Sequence, residues 1–415
     1  MKLRSFIIIL FSILSAYSCK KKDNIELADD FGKLHIQQEF TAVNYGMITS
    51  DRRYVFVGEA VSGPAILVLN EDFTKDYFKT FPEYSGGSFN KAIELRNGDL
   101  AMAGYTVDID SGATSNDPNF LCLSLDRLGS VVWSDVNDWR VHNQWNDLVE
   151  DEDGYIILAG EFAYDNGRNR RFVSELLIFD NEVNQATKGT LYSLGSGVQS
   201  LLSEVEILPN GDYVFLDVGF NSTHSEINPY LTFVDFDSFK PNINTVEYHV
   251  PKEYPLGPTP LAMNLFSSNI STDMVLNNGN IMVSIPVFDA TDGNYGSKIL
   301  NVSYSGNINW SKKFNGKFHF TAEKIFPCSL GYLIIGYSQE RDKVDATSDA
   351  YIIAIDGNGN ALWEYAYGSN NRFQNAKVAV ENNGLFHISG VSMEKNRHNP
   401  TIFQFTLDSK GNLIN

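Results

Sequence analysis

The residues able to do chemistry cluster where short apolar runs begin. They read Phe89-Asn90-Lys91, Trp145-Asn146-Asp147, Leu202-Ser203-Glu204, Ser271-Thr272-Asp273, Ala322-Glu323 and Phe373-Gln374-Asn375. In most of them an apolar or aromatic residue stands just before polar ones. Asn90, Asn146, Asp147, Glu204, Asp273, Glu323 and Asn375 could form a ring of hydrogen-bonding groups for a polar ligand. Two carboxylates among them could instead flank a glycosidic bond, a pairing whose spacing is spatial and hidden in one sequence. The stretch Asp138-Trp139-Arg140-Val141-His142-Asn143-Gln144-Trp145 adds two indoles, a guanidinium and an imidazole close together. Such groups can stack on a sugar ring or grip a peptide. Trp145 matches Phe89 and Phe373 in its run and reads as core, which leaves Trp139, Arg140 and His142 as ligand-binding candidates.

Most enzyme signatures are missing. There is no His-Glu-x-x-His, no Gly-x-Ser-x-Gly and no glycine loop opening a helix to cradle phosphate. His35, His142, His224, His249, His319, His387 and His398 are scattered, with no two at local metal-ligand spacing. Acidic turns such as Asp151-Glu152-Asp153-Gly154 lack the glutamate that completes a calcium loop, and tight-turn chemistry accounts for them. No metal, cofactor or catalytic residue is therefore expected. A net charge of −19 argues against nucleic acid and against electrostatic attachment to anionic lipid, since both partners are polyanions.

The elements that must position these groups are short strands. Gly331 to Gly368 contains three apolar runs separated by turn signals, and Phe320 to Phe326 precedes them, giving four strands in about 50 residues. The most regular landmark is an apolar run that follows a polar turn and usually ends in glycine. It appears as Tyr54 to Gly58, Leu100 to Gly104, Tyr155 to Gly160, Tyr213 to Gly219, Ile281 to Ile285, Leu333 to Gly336 and Leu385 to Gly390. Turns such as Asn97-Gly98-Asp99 and Asn278-Gly279-Asn280 precede it, the strongest short-range hairpin signal a sequence offers. Seven copies predict an all-β, seven-bladed β-propeller. The last blade runs out at Asn415 just as its fourth strand begins. Gly32 to Phe40 has the pattern of a fourth strand without partners, so it is expected to pair beside the carboxy-terminal strands and close the ring. Cys122 and Cys328 sit in or beside apolar runs far apart and are expected to be buried free thiols, with a pairing in an exported chain as the alternative.

Two resemblances add to this. Leu121 to Leu125 leads through Asp126-Arg127-Leu128-Gly129-Ser130 to Trp133, Ile299 to Tyr304 leads to Trp310, and Ile352 to Ile355 leads to Trp363. This pattern resembles the tryptophan-docking repeat of quinoprotein-type propellers, in which the indole packs on the neighbouring blade. Blades near Asn70, Asp180 and Asp237 lack the tryptophan, and the likeness implies no bound quinone.

At the amino terminus, Lys2 and Arg4 precede an apolar stretch from Phe6 to Leu14, which is the layout of a secretory signal. Ala16-Tyr17-Ser18-Cys19 resembles a lipobox, and Lys20-Lys21-Lys22-Asp23 resembles the charged tether of Bacteroidetes-type lipoproteins; Ala16-x-Ser18 would also suit the ordinary signal peptidase. The resemblance implies a signal peptide over 1–18, lipidation at Cys19 with a tether over 19–31, and a propeller over 32–415. The protein is then expected at the outer membrane, lipid-anchored on its periplasmic or outer face. A non-catalytic propeller that binds or scaffolds a protein or glycan is expected; the alternatives are a carbohydrate-active hydrolase or lyase at the channel mouth, and an accessory in outer-membrane assembly.

Overall fold

Among the described residues the chain forms seven antiparallel sheets arranged as the blades of a propeller. The computed structural model describes residues 25–26, 33–34, 40–107, 118–137, 143–165, 170–180, 185–192, 198–221, 227–235, 242–247, 272–289, 294–315, 319–339, 347–368, 372–394 and 400–414. Blades 1 to 7 span residues 40–80, 88–137, 143–192, 198–247, 273–314, 319–368 and 372–414. In each blade the strands pair in chain order, and the first strand of one blade meets the first strand of the next around the axis. The circle is complete: Arg372–Asn382 of blade 7 meets Phe40–Ile48 of blade 1.

The apolar runs are continuous because each blade buries both faces. In blade 1, Val55 and Val57 face blade 2, where they join Phe89, Leu100 and Met102. Tyr54 and Phe56 alternate with them and face blade 7, packing with Val378 and Ile402. Successive strand side chains point to opposite faces, so a blade between two others needs both parities apolar. The other five interfaces repeat this arrangement, each with its own buried cluster. Cys122 lies buried within one of them as a free thiol; Cys328 is also unpaired but only half-buried, at the edge of another cluster.

The glycine that ends the landmark run has a steric cause. The first strand of blade 2 carries a β-bulge between Phe89 and Lys91, opposite Gly104. A Cβ on Gly104 would collide with the Ser88 carbonyl oxygen. Gly58, Gly160, Gly336 and Gly390 stand in the same relation to the carbonyls of Ala42, Gln144, Thr321 and Asn375. Bulges recur at Val43/Tyr45, Trp145/Asp147, Leu202/Glu204, Ala322/Lys324 and Ala376/Val378. Glycine permits the close approach of the partner strand at five of these six bulges; in blade 4 Asp217 stands opposite the bulge instead.

The indoles bridge adjacent blades. Trp310 donates its Nε1–H to the Gly357 carbonyl (3.0 Å), and Trp363 donates to the Ser409 carbonyl (3.0 Å), each in the last turn of the following blade. Trp133 packs on Phe179 of blade 3. In blade 1 the same register position holds Tyr77, which lies over Gly129 of blade 2. Arg53 there donates to the Arg127 carbonyl, the turn position that an indole contacts elsewhere.

Closure follows the expected route. Lys33 and Leu34 pair antiparallel with Phe403 and Ile402, supplying an outer strand to blade 7. Leu413–Ile414 adds a short pairing to the same strand, so residues 33–34 and 413–414 share one sheet. Unforeseen in the sequence, Ile25–Glu26 pairs in parallel with Tyr367 and Gly368 and extends blade 6.

Replacing Gly104 with alanine forces the Ser88 carbonyl out of the bulge. It is expected to destabilise the fold by roughly 2 kcal/mol, read as a lowered midpoint in chemical denaturation. An unchanged midpoint would show that the bulge does not need the glycine.

Candidate functional site

The bulges set the axis. In six blades the residue just after the bulge occupies one register position, held in blade 5 by Asp273 at the start of its strand; these are Tyr45, Lys91, Asp147, Glu204, Asp273, Lys324 and Val378. The bulged residue itself is Asn44, Asn90, Asn146, Ser203, Glu323 or Lys377, with Thr272 placed equivalently in blade 5. An unpaired bulged residue is turned out of the ladder, which frees its side chain for the neighbouring blade.

Three asparagines use that freedom identically. Asn44 Nδ2 donates to the Phe89 carbonyl (2.9 Å), Asn90 to the Trp145 carbonyl (2.8 Å), and Asn146 to the Leu202 carbonyl (2.8 Å). Each links its blade to the residue before the next bulge. Two aspartates make a second set of links. Asp147 accepts from the Val205 N–H (2.9 Å) and Asp273 from the Ile325 N–H (2.7 Å).

The charged groups meet across the axis. Lys91 of blade 2 lies 2.9 Å from Asp147 of blade 3 and 2.7 Å from Glu204 of blade 4. Burial pulls the Lys91 ammonium down, but the two carboxylates outweigh it and hold its pKa well above the ordinary value. Burial pushes the Glu204 carboxyl well up; Lys91 opposes this and Asp147 adds to it. Two acids from neighbouring blades thus share one ammonium at the axis.

Lys324 of blade 6 is held differently. Its Nζ sits 3.2 Å from the centre of the Tyr45 ring and donates to the Gly46 carbonyl (3.2 Å). Burial and repulsion from Lys91 lower it to about 7, against the pull of Asp273. Burial raises Asp273 to about 6, although Lys324 and Lys91 oppose it. On the rim of this network Glu323 is engaged by Lys377 (2.7 Å) and by Asn375 Nδ2 (3.1 Å).

Of the residues singled out from sequence, Asp147, Glu204 and Asp273 occupy the axial register position, Asn90, Asn146 and Glu323 are the bulged residues beside it, and Asn375 reaches Glu323. Their amides and carboxylates largely bond one another and the backbone rather than standing open. The expected trio Phe373-Gln374-Asn375 is out of register by three residues: the bulge of blade 7 is Ala376-Lys377-Val378, with Ala376 opposite Gly390. Phe373 mimicked the aromatic that precedes the bulge in blades 2 and 3. Trp145 is core, stacked on Phe120 at 3.9 Å. Trp139, Arg140, His142 and Cys19 lie outside the described residues, as do most of the loops 107–118 and 240–269. Sequence reading missed Asn44, Tyr45 and Lys324, although Asn-Tyr, Asn-Lys and Asn-Asp form a recurring polar pair that register alignment would have exposed. Among the described residues no group of three or more His, Cys, Asp or Glu is arranged to hold a metal ion.

Comparison with known families and with curated proteins gives no match. Solved structures do match. The polysaccharide lyase Uly1 is 9% identical, with 93% of this chain and 96% of that chain covered and a TM-score of 0.52. A puromycin hydrolase is 12% identical over 94% of this chain and 56% of its own, with a TM-score of 0.53. A protein of unknown function from Dyadobacter fermentans is 11% identical over 93% of this chain and 98% of its own, at 0.47. At such identities the likeness establishes the β-propeller fold and nothing of activity.

Lys91→Met would leave Asp147 and Glu204 without their shared cation. Stability is expected to fall by roughly 3 kcal/mol at neutral pH, and acidification should recover part of it by protonating the stranded acids. Equal loss at all pH values would contradict the pairing. Lys324 gives a second, opposite signature. Its folded pKa lies below its unfolded one, so its penalty is complete below about 7 and disappears as pH rises towards the unfolded value. Wild type should therefore gain thermal stability between pH 7 and 10 relative to Lys324→Met; parallel curves would refute the assignment.

Proposed function

We propose that the protein is an envelope-anchored, non-catalytic β-propeller that binds a protein or glycan on one face. The observation that carries this reading is the state of the axis. Its amides, ammoniums and carboxylates already bond one another and the next blade's backbone, which is the arrangement of a clasp rather than of acid, base and nucleophile awaiting substrate. Recognition then falls to the connections. Turns between first and second strands are short in every blade, as at Asn97-Gly98-Asp99 and Asn383-Gly384. The long connections 108–117, 248–272 and 340–347 leave the opposite face, where first strands begin, and so does the five-residue connection 138–142. Trp139, Arg140 and His142 belong to one of them, and Pro251, Pro255, Pro258 and Pro260 to another. Binding residues concentrate on such loops over a rigid scaffold. A net charge of −19 favours a neutral or cationic partner. Cys19 would carry the lipid that holds the protein at the outer membrane.

A second reading, a carbohydrate lyase, draws on Lys324, a lysine poised near neutrality beside Tyr45. Proton abstraction next to a uronate carboxylate needs such a base. The fold shared with Uly1 is compatible with it and does not argue for it.

The purified protein should be screened on glycan and peptide panels. Ligand binding that Trp139→Ala with His142→Ala reduces at least tenfold, at unchanged thermal stability, is the expected outcome. Formation of unsaturated sugar products, lost in Lys324→Met, would overturn the non-catalytic reading.

A further inference from the structure

One titratable group on the axis takes no part in the clasp. Two residues beyond the charged ring, each first strand again turns a side chain inward, at Met47, Ile93, Val149, Glu206, Val275, Phe326 and Val380. All seven are partly exposed, while the residues between the two rings, Ala92, Leu148, Val205, Met274, Ile325 and Ala379 among them, are buried between blades. That alternation is the mark of a strand with one parity in the blade interface and the other on a channel. The second ring is therefore an apolar collar interrupted by one carboxyl.

The collar is blind at one end. Beyond it Lys91 reaches Asp147 and Glu204 of two further blades, and both Lys91 and Lys324 lie over Tyr45, so side chains cross the axis there. It opens towards the face of short turns, opposite the long connections. Glu206 accepts no hydrogen bond and joins no ion pair among the described residues. The charged groups it senses are Asp147 and Asp273, which repel its anion, and Lys91, which attracts it less than burial and repulsion oppose it; Glu204, Lys324 and Tyr45 complete the ring above. Burial first, then Asp147, raises its carboxyl to about 8.

We propose that this collar is a binding site for a primary ammonium on an aliphatic stem, such as a lysine side chain or an alkylamine, with Glu206 pairing the ammonium and the collar covering the stem. The chemistry excludes the other classes. A bare metal ion needs several oxygens, and the collar offers one carboxyl. An anion would face that carboxyl and the three acids above it. A neutral apolar guest would bury Glu206 without a partner, which is costly. An ammonium supplies the missing charge, and its methylenes cover Met47, Val275 and Phe326 as lysine stems cover apolar surface elsewhere. The site lies on the opposite face from the loops of the proposed function and does not depend on that reading.

The probe is n-hexylammonium, with n-hexanol as its neutral counterpart, titrated calorimetrically into the purified full-length protein. At pH 9 the ammonium should bind at least tenfold more tightly than the alcohol. Its affinity should fall by about tenfold per pH unit below 8, because binding then requires expelling the Glu206 proton. Glu206→Gln should bind both probes equally. The carboxyl resonance of Glu206, followed by carbon NMR in the wild type, should titrate at lower pH when hexylammonium is present, a readout that needs no variant. No binding at pH 9, equal affinity for the alcohol, or an unmoved Glu206 titration would each overturn the proposal.

Discussion

Every blade has two apolar faces, and only a closed ring can cover both. A sheet such as Tyr54–Ala60 with Gly63–Leu69 hides Val55 and Val57 against blade 2 and Phe56 against blade 7; removing either neighbour would expose a whole face. Burial of an aliphatic or aromatic side chain contributes about 1.5 to 3 kcal/mol, so an open ring would lose many such contributions at once. The remaining architecture serves that closure. Lys33–Leu34 joins the final sheet, and the indoles of Trp310 and Trp363 each fasten one blade to the turn of the next.

Near the axis the blades converge, and the first strands are fitted together by repeated bulges. A Cβ-less residue on the second strand admits the bulge, the bulge turns a polar side chain sideways, and that side chain bonds the adjacent first strand. Gly104, Asn90 and the Trp145 carbonyl form one such sequence of causes; Gly160, Asn146 and the Leu202 carbonyl form another. The residue after the bulge then points to the axis, where Lys91, Asp147 and Glu204 gather. Buried charges cost less when they are paired and hydrogen-bonded, and three blades supply the pairing here. The clasp and any ligand chemistry therefore draw on one set of side chains, which is why the loop face is the better place to look for recognition.

Much of the fold was legible because it rests on local chemistry. Asn97-Gly98-Asp99 and its relatives announce hairpins, and the runs after them are apolar at both parities because both faces are buried. The axial residues were legible in part, since Asn90, Asn146, Asp147, Glu204 and Asp273 follow an aromatic or apolar residue or begin a run. What escaped depended on register and on closure in space. Asn44-Tyr45 sits in a strand with a second bulge at Phe40/Ala42, which obscures the repeat. Phe373 imitates a landmark three residues early. Tyr77 fills a tryptophan position with a different ring. Glu206 reads as an ordinary alternating glutamate until the six other blades surround it with apolar side chains.

The central claim is that the ring opens as one body, because no blade can lose its neighbour without exposing a face. Native-state hydrogen exchange measures this directly at the first-strand amides, Val205 and Ile325 among them. The account predicts that these amides in all seven blades exchange through one global opening, with a common free energy and a common denaturant dependence. A set of blades whose first strands exchange through a separate, lower-energy opening would contradict it.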